Sequence, residues 1–336
     1  MFKPLRVAIA AACLMVSATL GIAQEPIVIK FSHVVAPESP KGRAAEFFRG
    51  RVAARLGSRV RVEVYPNSTL YKDRDEMEAL QLGAVQMLAP SLAKFGPLGL
   101  REFEVFDLPY LFDDYRAVHR VTGGPIGERL LDKLEDKGIV GLAYWDNGFK
   151  DFSANRPLRK PEDFRGLKMR IQSSAVIDAQ MRALGTRPEV MNFSDVRDAL
   201  RTGMVDGTEN PPSNFYTQGM HEVQKYLLRS NHGYLGYAVI VNKRFWDDLP
   251  GPIRRELQLA IGEATEFANA IAERDNARAL EAVHRSGKTQ IIVPTNAERA
   301  ALKRALVDVH KSQASRVGAD LIQAIYRETG FDPARK

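Results

Sequence analysis

A long helical pattern near the carboxyl terminus constrains this fold more than any other feature of the sequence. From Pro252 to about Ser286 there is almost no helix breaker, and apolar residues such as Leu257, Ile261 and Ala264 recur at helical spacing. A helix of this length extends for about 50 Å at ~1.5 Å per residue. Because that distance exceeds the width of a small domain, we predict that the helix crosses two domains.

The preceding part of the chain alternates between strand and helix patterns. A β-rich strand over 27–33 is followed by a helix that starts at Pro40, with Ser39 as its N-cap, and then by a strand over 59–65. This alternation predicts an α/β fold with a mainly parallel sheet. The length of 336 residues is sufficient for two domains.

The middle and the end of the chain give further predictions. We interpret Asp146-Asn147-Gly148 as a turn and a candidate crossover between domains. Other predicted elements are a helix over 73–82, a strand over 84–89, separate strands over 138–145 and 149–154, separate strands over 224–229 and 234–241, and a helical tail over 296–327.

The N-terminus has the pattern of a secretory signal peptide. Lys3 and Arg6 precede an apolar run over 7–20, and small residues precede a cleavage site near Ala23. The apolar run is shorter than the ~20 residues that span a bilayer, so we predict an exported, periplasmic protein. The single cysteine, Cys13, lies inside this segment, and the mature chain should therefore contain no disulfide.

The charge pattern and the missing motifs exclude several functional classes. The net charge is +7, but the charges are interspersed, which does not indicate nucleic-acid binding. The sequence contains no HExxH, P-loop, dinucleotide fingerprint or GxSxG motif. We therefore predict neither a metal nor a cofactor, and the common enzyme classes are disfavoured.

One arginine stands out in a predicted strand over 166–172. Leu167, Met169 and Ile171 share one face of this strand, and Arg170 lies in the middle of the other face. A planar guanidinium matches a carboxylate in a bidentate arrangement. From the strand alone, a structural ion pair is the more frequent role for such an arginine.

Three polar residues near the ends of other elements are candidates for the same site, because ligands of α/β proteins lie beyond the strand ends. Lys41 occupies the first turn of a helix, where the macrodipole favours an anion, so a bound anion would compensate its charge. Ser91 and Lys94 follow a strand and offer two donors. A solvent-facing lysine and a simple helix cap are equally consistent with these positions.

Two further candidates follow the same logic. Lys150 adjoins the predicted turn, although pairing with a neighbouring acid is an alternative for it. Asn210 precedes Pro211, which restricts its backbone and so lowers the entropic cost of binding through its amide. Asn214 follows closely. A rigid structural loop is the alternative interpretation of this stretch.

Several stretches together resemble the solute-binding subunit of TRAP transporters, the DctP family. They are FSHVVAP at 31–37, YPNS at 65–68, APSLAKF at 89–95, YWDNGFK at 144–150, GLKMR at 166–170, VDGTENP at 205–211 and NHGY at 231–234. The resemblance implies a two-domain periplasmic-binding-protein fold with a cleft between the domains and a long helix that spans both. It implies domain I over 24–147 plus 236–274, and domain II over 148–235 plus 275–336.

The resemblance also assigns roles to residues. Arg170 corresponds to the carboxylate-binding arginine of the family, Lys150 lies where other members carry a second cation, and Asn210 is the asparagine of the Glu-Asn-Pro segment. His33, in the first matching stretch, joins the candidate ligand-binding residues. Thr208 departs from the glutamine common in the family, and an effect on the shape of this loop is expected.

The implied function is a periplasmic receptor that delivers a small carboxylate solute to membrane permease subunits. The matching residues look most like members that bind C4-dicarboxylates, and the receptor is expected to be a monomer. Arg170 would hold one carboxylate, and Lys41, Lys94 or Lys150 the other. The open alternatives are an aromatic, sugar or 2-keto acid in a larger pocket, and an exported enzyme. Such a pocket would be lined by Phe149, Phe193 and Tyr237.

Overall fold

The computed structural model describes residues 25–334, so the predicted signal peptide lies outside the described residues. Nine strands are found in the described part: β1 Ile27–Ser32, β2 Val60–Tyr65, β3 Met87–Leu88, β4 Ile139–Ala154, β5 Lys168–Ile171, β6 Arg187–Val190, β7 Gly207–Asn210, β8 Tyr226–Asn242 and β9 Gln290–Ile292. The α-helices of the same part are α1 Pro40–Leu56, α2 Glu76–Gln81, α3 Tyr115–Thr122, α4 Pro125–Asp132, α5 Ala175–Ala183, α6 Val196–Thr202, α7 Pro212–Thr217, α8 Lys243–Asp248, α9 Gly251–Ser286, α10 Asn296–Leu306, α11 Asp308–Ser312, α12 Ala314–Val317 and α13 Ala319–Thr329.

The strands form a mixed sheet in the order β2-β1-β3-β8-β4-β7-β5-β6, and β9 pairs with β8. The two ends of the sheet are parallel, as predicted for an α/β fold, since β1 pairs in parallel with β2 and β3, and β5 with β6 and β7. We call the part around β1–β3 with α1 and α2 domain I, and the part around β5–β7 with α5 and α6 domain II. The antiparallel pair β4–β8 joins them.

The predicted turn at Asp146-Asn147-Gly148 is wrong, because these residues lie inside the 16-residue strand β4. Antiparallel pairing with β8 keeps the backbone extended here, with only a register shift between Asp146 and Gly148. Glycine at 148 allows a close approach, since a Cβ there would lie 2.6 Å from Nδ2 of the buried Asn276 side chain and would displace it. The two separate strands predicted over 224–241 are likewise one strand, β8.

The predicted long helix is confirmed as α9, which has 36 residues. Its first half packs with β1, β2 and α1 in one hydrophobic cluster that includes Leu257, Ile261 and Ala268. Its last turns contribute Leu280 and Val283 to a different cluster, around α6 and α7. The helix therefore contacts the cores of both domains, as its length predicted.

Two other predicted elements differ from the structure. The helix predicted over 73–82 begins only at Glu76, because residues 73–75 form a turn in which the N–H of Asp75 donates to the Lys72 oxygen at 3.1 Å. The Asp73 side chain is engaged by Lys94 and by the backbone of Phe193. The predicted helical tail is divided into four helices, with a break at Gly318, whose φ is 107°. Within residues 25–334, no helix is both long and apolar enough to span a membrane.

Candidate functional site

A cavity that is partly open to solvent lies between domain I and domain II, with about 300 Å³ of free space. Residues of both domains line it, from the loop after β1, the first turn of α1, the segment after β3, and the ends of β5 and β7. Six of the eight predicted binding residues are among them: Lys41, Ser91, Lys94, Arg170, Asn210 and Asn214. The structure thus brings together residues that are up to about 170 positions apart in the sequence.

Arg170 is a buried cation without an acidic side chain in direct contact. Its side chain is 3% exposed, and Nε and Nη2 donate hydrogen bonds to the backbone oxygen of Met191 at 3.1 and 2.8 Å. Within residues 25–334, no carboxylate lies within 4.0 Å of its guanidinium. Burial lowers the pKa of Arg170, which means that the charged form is under-solvated. A carboxylate in the cavity would compensate this charge.

Lys41 is a second such cation. It is the second residue of α1, is 1% exposed, and donates a hydrogen bond from Nζ to the Ala89 oxygen at 2.9 Å. Its Nζ lies 3.9 Å from the centroid of the Tyr237 ring. Burial lowers the pKa of Lys41 to about 7. No carboxylate of the described chain lies within 4.0 Å of this ammonium either.

Lys94, by contrast, already has two acidic partners. Its Nζ contacts the Asp73 carboxylate and lies 2.6 Å from Oε1 of Glu76. Although burial opposes the charge, these two carboxylates raise the pKa of Lys94. Asp73 also accepts a hydrogen bond from the backbone N–H of Phe193, and its pKa is lowered by Lys94 and Arg170 in spite of burial. The charge of Lys94 is therefore compensated within the protein.

Neutral polar groups complete the wall of the cavity. The Asn147 Nδ2 donates to Oδ1 of Asn214 at 2.9 Å and to the Tyr237 hydroxyl at 2.6 Å. Ser91 caps the short helical turn over 92–94 by accepting a hydrogen bond from the Ala93 N–H at 3.3 Å. These bonds fix the amide and hydroxyl groups before any ligand is present, which lowers the entropic cost of binding.

The structure does not place Lys150 or His33 in the wall of the cavity. Lys150 is 1% exposed, and its Nζ lies 2.7 Å from Oε1 of Glu209, whose other oxygen is 2.7 Å from Nε2 of His232. Burial alone would raise the pKa of Glu209, but Lys150 and His232 lower it to about 2. Lys150 is thus paired with an acid, as in the alternative interpretation, but that acid lies 59 positions away in the sequence.

His33 is also buried. Among the described residues, neither of its ring nitrogens has a hydrogen-bond partner. Burial, with a smaller effect of the Lys41 charge, lowers the pKa of His33 to about 3. The imidazole is therefore neutral and offers no positive charge to an anion.

Sequence reasoning missed several residues of the wall. Asp73, Gln172 and Leu235 line the cavity without having been predicted, and Phe193 and Tyr237 were considered only for a larger pocket. Gln172 shares a strand face with Arg170, and that periodicity was the one available signal for it. Phe149 lies elsewhere, packed against the rings of Tyr115 and Tyr234. No group of three or more potential metal ligands is found within residues 25–334.

Comparison with known proteins agrees with this architecture over most of the chain. The sequence profile of the family described as bacterial extracellular solute-binding protein, family 7 (DctP), matches residues 31–316. The C4-dicarboxylate-binding periplasmic protein DctP of Rhodobacter capsulatus is 59% identical over 321 residues, which cover 96% of this chain and 96% of that protein.

Solved structures of similar proteins share the fold. The TRAP periplasmic solute-binding protein of Shewanella oneidensis with bound succinate is 40% identical and has a TM-score of 0.89, over 90% of this chain and 99% of that one. The corresponding protein of Pseudomonas aeruginosa with bound L-malate is 42% identical with a TM-score of 0.83, over 85% and 100% of the two chains. This chain therefore belongs to the DctP family, the bacterial extracellular solute-binding proteins of family 7.

Proposed function

We propose that this chain is the periplasmic receptor of a TRAP transporter and that its solute is a C4-dicarboxylate such as succinate, malate or fumarate. The name of the Rhodobacter relative and the ligands of the two solved structures support this solute class. The family consists of solute-binding receptors, so the chain is a receptor and not an enzyme. It would deliver the solute to membrane permease subunits.

The observation that carries the proposal is the pair of buried cations without an acidic side chain in direct contact, Arg170 and Lys41, in the wall of one cavity. A dicarboxylate has two negative ends and needs two cationic poles. Arg170 would hold one carboxylate through its planar fork, and Lys41 the other. Each charge-assisted hydrogen bond contributes about 1.5–3 kcal/mol. Several of them in a closed cleft reach the ~8 kcal/mol of micromolar binding.

We further propose that the domains close on the solute by a hinge, with domain I over 24–147 plus 236–274 and domain II over 148–235 plus 275–336. With these bounds the chain passes between the two domains three times. The three crossing points lie next to one another, which supports this division. Asp146 pairs with Gly236, and Nδ2 of Asn276 donates to the Asn147 oxygen at 2.6 Å. Helices α12 and α13 depart from this division. They lie in the range given to domain II, but residues such as Val317 and Ile322 pack into the core of domain I.

We also propose that the protein is exported and that it acts as a monomer. The N-terminal segment would be cleaved near Ala23 as the protein enters the periplasm, in keeping with the periplasmic relatives. The mature receptor would act as a monomer. The mass of the protein purified from periplasm, measured intact and under native conditions, reports the cleavage site and the oligomeric state together.

Isothermal titration calorimetry tests the solute class. Succinate, malate and fumarate should bind with micromolar or stronger affinity, whereas butyrate, which lacks the second carboxylate, should bind at least about tenfold more weakly. Absence of heat with all three dicarboxylates, together with no shift of the melting temperature, would overturn the proposal. Native mass spectrometry of the purified receptor identifies any co-purified acid independently.

A further inference from the structure

We infer that Asp73 sets the maximum length of the acid that this receptor accepts, because its side chain separates the binding cavity from a second, larger cavity. The inference rests on the proposed function, in that it assumes a dicarboxylate bound by Arg170 and Lys41. It assigns to an unpredicted acidic residue the role of a specificity determinant.

The second cavity adjoins the first and has about 700 Å³ of free space, part of which is open to solvent. Both cavities share the same four wall residues: Asp73, Lys94, Arg170 and Gln172. Beyond these four, its wall combines apolar and polar side chains, among them Met77, Leu98 and Asn192. An acid longer than the first cavity would have to extend past the shared wall into this space.

Asp73 is the member of that wall that is fixed from both domains. Its carboxylate contacts Lys94 of domain I and accepts a hydrogen bond from the backbone N–H of Phe193 in domain II. The side chain is 11% exposed. Burial would raise the pKa of Asp73, but the charges of Lys94 and Arg170, together with the hydrogen bonds from Lys94 and Phe193, lower it. This side chain, which we call the partition, therefore carries a negative charge. Because Lys94 and Arg170 compensate this charge, the partition excludes a longer acid mainly by its volume.

The neighbours of Asp73 hold it in this place. Nζ of Lys72 lies 2.9 Å from Oδ1 of Asp195, and Nη2 of Arg74 donates to the Val190 oxygen at 3.2 Å. Three consecutive residues thus connect the loop before α2 in domain I to the 190–195 segment of domain II. We call residues 72–74 the clasp. Because its two flanking contacts are independent of Asp73, the loop should keep its position when the Asp73 side chain is shortened.

Shortening Asp73 has two consequences for a longer ligand. The partition loses its volume, which joins the two cavities at the end where Arg170 lies. Lys94 loses one of its two acidic partners and keeps Glu76, so its ammonium becomes available to a distal carboxylate. A five- or six-carbon dicarboxylate would then fit with both of its charges compensated.

Calorimetry with succinate, glutarate and adipate on variants of the whole mature chain tests the inference. The measured quantity is the ratio of the Kd for adipate to the Kd for succinate. Asp73→Ala and Asp73→Ser should each lower this ratio by at least about tenfold relative to the wild type. Asp73→Asn keeps the volume of the partition, so its ratio should stay within about threefold of the wild type. Asp198→Ala is the matched control and should leave the ratio unchanged, because Asp198 is an exposed acid of α6 that lines neither cavity.

The outcomes separate the inference from the proposed function. Unchanged ratios in both shortened variants would contradict the inference that Asp73 limits the length of the ligand. An Asn variant that loses length selectivity as fully as the Ala variant would contradict it as well. If Asp73→Ala fails to fold in a thermal melt, the Ser variant decides. If the wild type binds no dicarboxylate at all, the proposed function itself fails.

Discussion

Among single residues, Arg170 is the first side chain to test. Arg170→Lys keeps the positive charge but loses the planar fork, so succinate affinity should fall at least about tenfold, or ~1.4 kcal/mol. Titration calorimetry measures the change. Arg182→Lys is a suitable control, since Arg182 pairs with Asp178 on the exposed face of α5. An unaltered Kd in Arg170→Lys would remove Arg170 from its proposed role as the anchor.

Lys41 predicts a pH dependence. Its pKa in the free receptor is about 7, lowered by burial, and a bound carboxylate stabilises the ammonium and raises that pKa. Below pH 7, Lys41 is therefore already protonated in the free receptor. Above pH 7, the receptor must take up a proton when it binds the carboxylate, and this lowers the affinity. Succinate affinity should fall between pH 7 and 9, by up to about tenfold per pH unit.

Calorimetry in two buffers with different ionisation enthalpies measures this proton uptake directly. Lys41→Met should bind more weakly at pH 6.5 and lose most of the pH dependence. Equal affinities of the wild type at pH 6.5 and 8.5, with no difference between buffers, would contradict the role given to Lys41.

Local sequence rules identified some of these residues and missed others. Arg170 breaks the pattern of a strand and Lys41 opposes a helix dipole, so each violates a rule that a bound anion repairs. Lys150 has a similar local context, but its partner Glu209 is 59 residues away, and no local rule reveals such a pairing. Asp73 follows the ordinary rule for an acid near a helix start, which hides its contact with domain II.

At the scale of elements, the pattern of helices and strands was largely predictable, but their continuity was not. Asn147-Gly148 is a strong turn signal in isolation, and local propensity divides β4 at that point. Pairing with β8 along its length overrides this propensity. The helix α9 was predictable because its periodicity extends over many turns, so that local errors average out.

The pairing of β4 with β7 makes a prediction about stability. Lys150 on β4 and Glu209 on β7 form a buried ion pair, and Lys150→Met leaves the Glu209 carboxylate without its cation. The free energy of unfolding in urea should fall by about 3–5 kcal/mol. The double variant Lys150→Met/Glu209→Gln should recover much of this loss. Lys243→Met, which removes a half-buried surface lysine beside Asp247 and Glu135, is the control and should change much less. A single variant as stable as the wild type would refute the argument.

For the whole molecule, the domain arrangement was accessible from sequence mainly through family resemblance. Periodicity predicts one helix long enough for two domains, but it does not say which segments face each other across the cleft. The contacts of the clasp illustrate the difficulty: Lys72 and Asp195 are separated by 123 positions and both are exposed. Such a pair carries no pattern in the sequence, although it connects the two domains.

The Lys72–Asp195 pair predicts how domain closure contributes to binding. Neither residue lines the cavity, so a change in this pair affects the solute only through the stability of the closed arrangement. Lys72→Glu places two acids in contact and should weaken succinate binding by about two- to fivefold, mainly through faster dissociation. The swapped variant Lys72→Glu/Asp195→Lys should restore most of the affinity, and stopped-flow fluorescence at low salt measures both rates. Equal dissociation rates in all three proteins would show that the clasp does not contribute to closure, whereas a loss that the swap repairs would establish a contact across the cleft as part of the affinity.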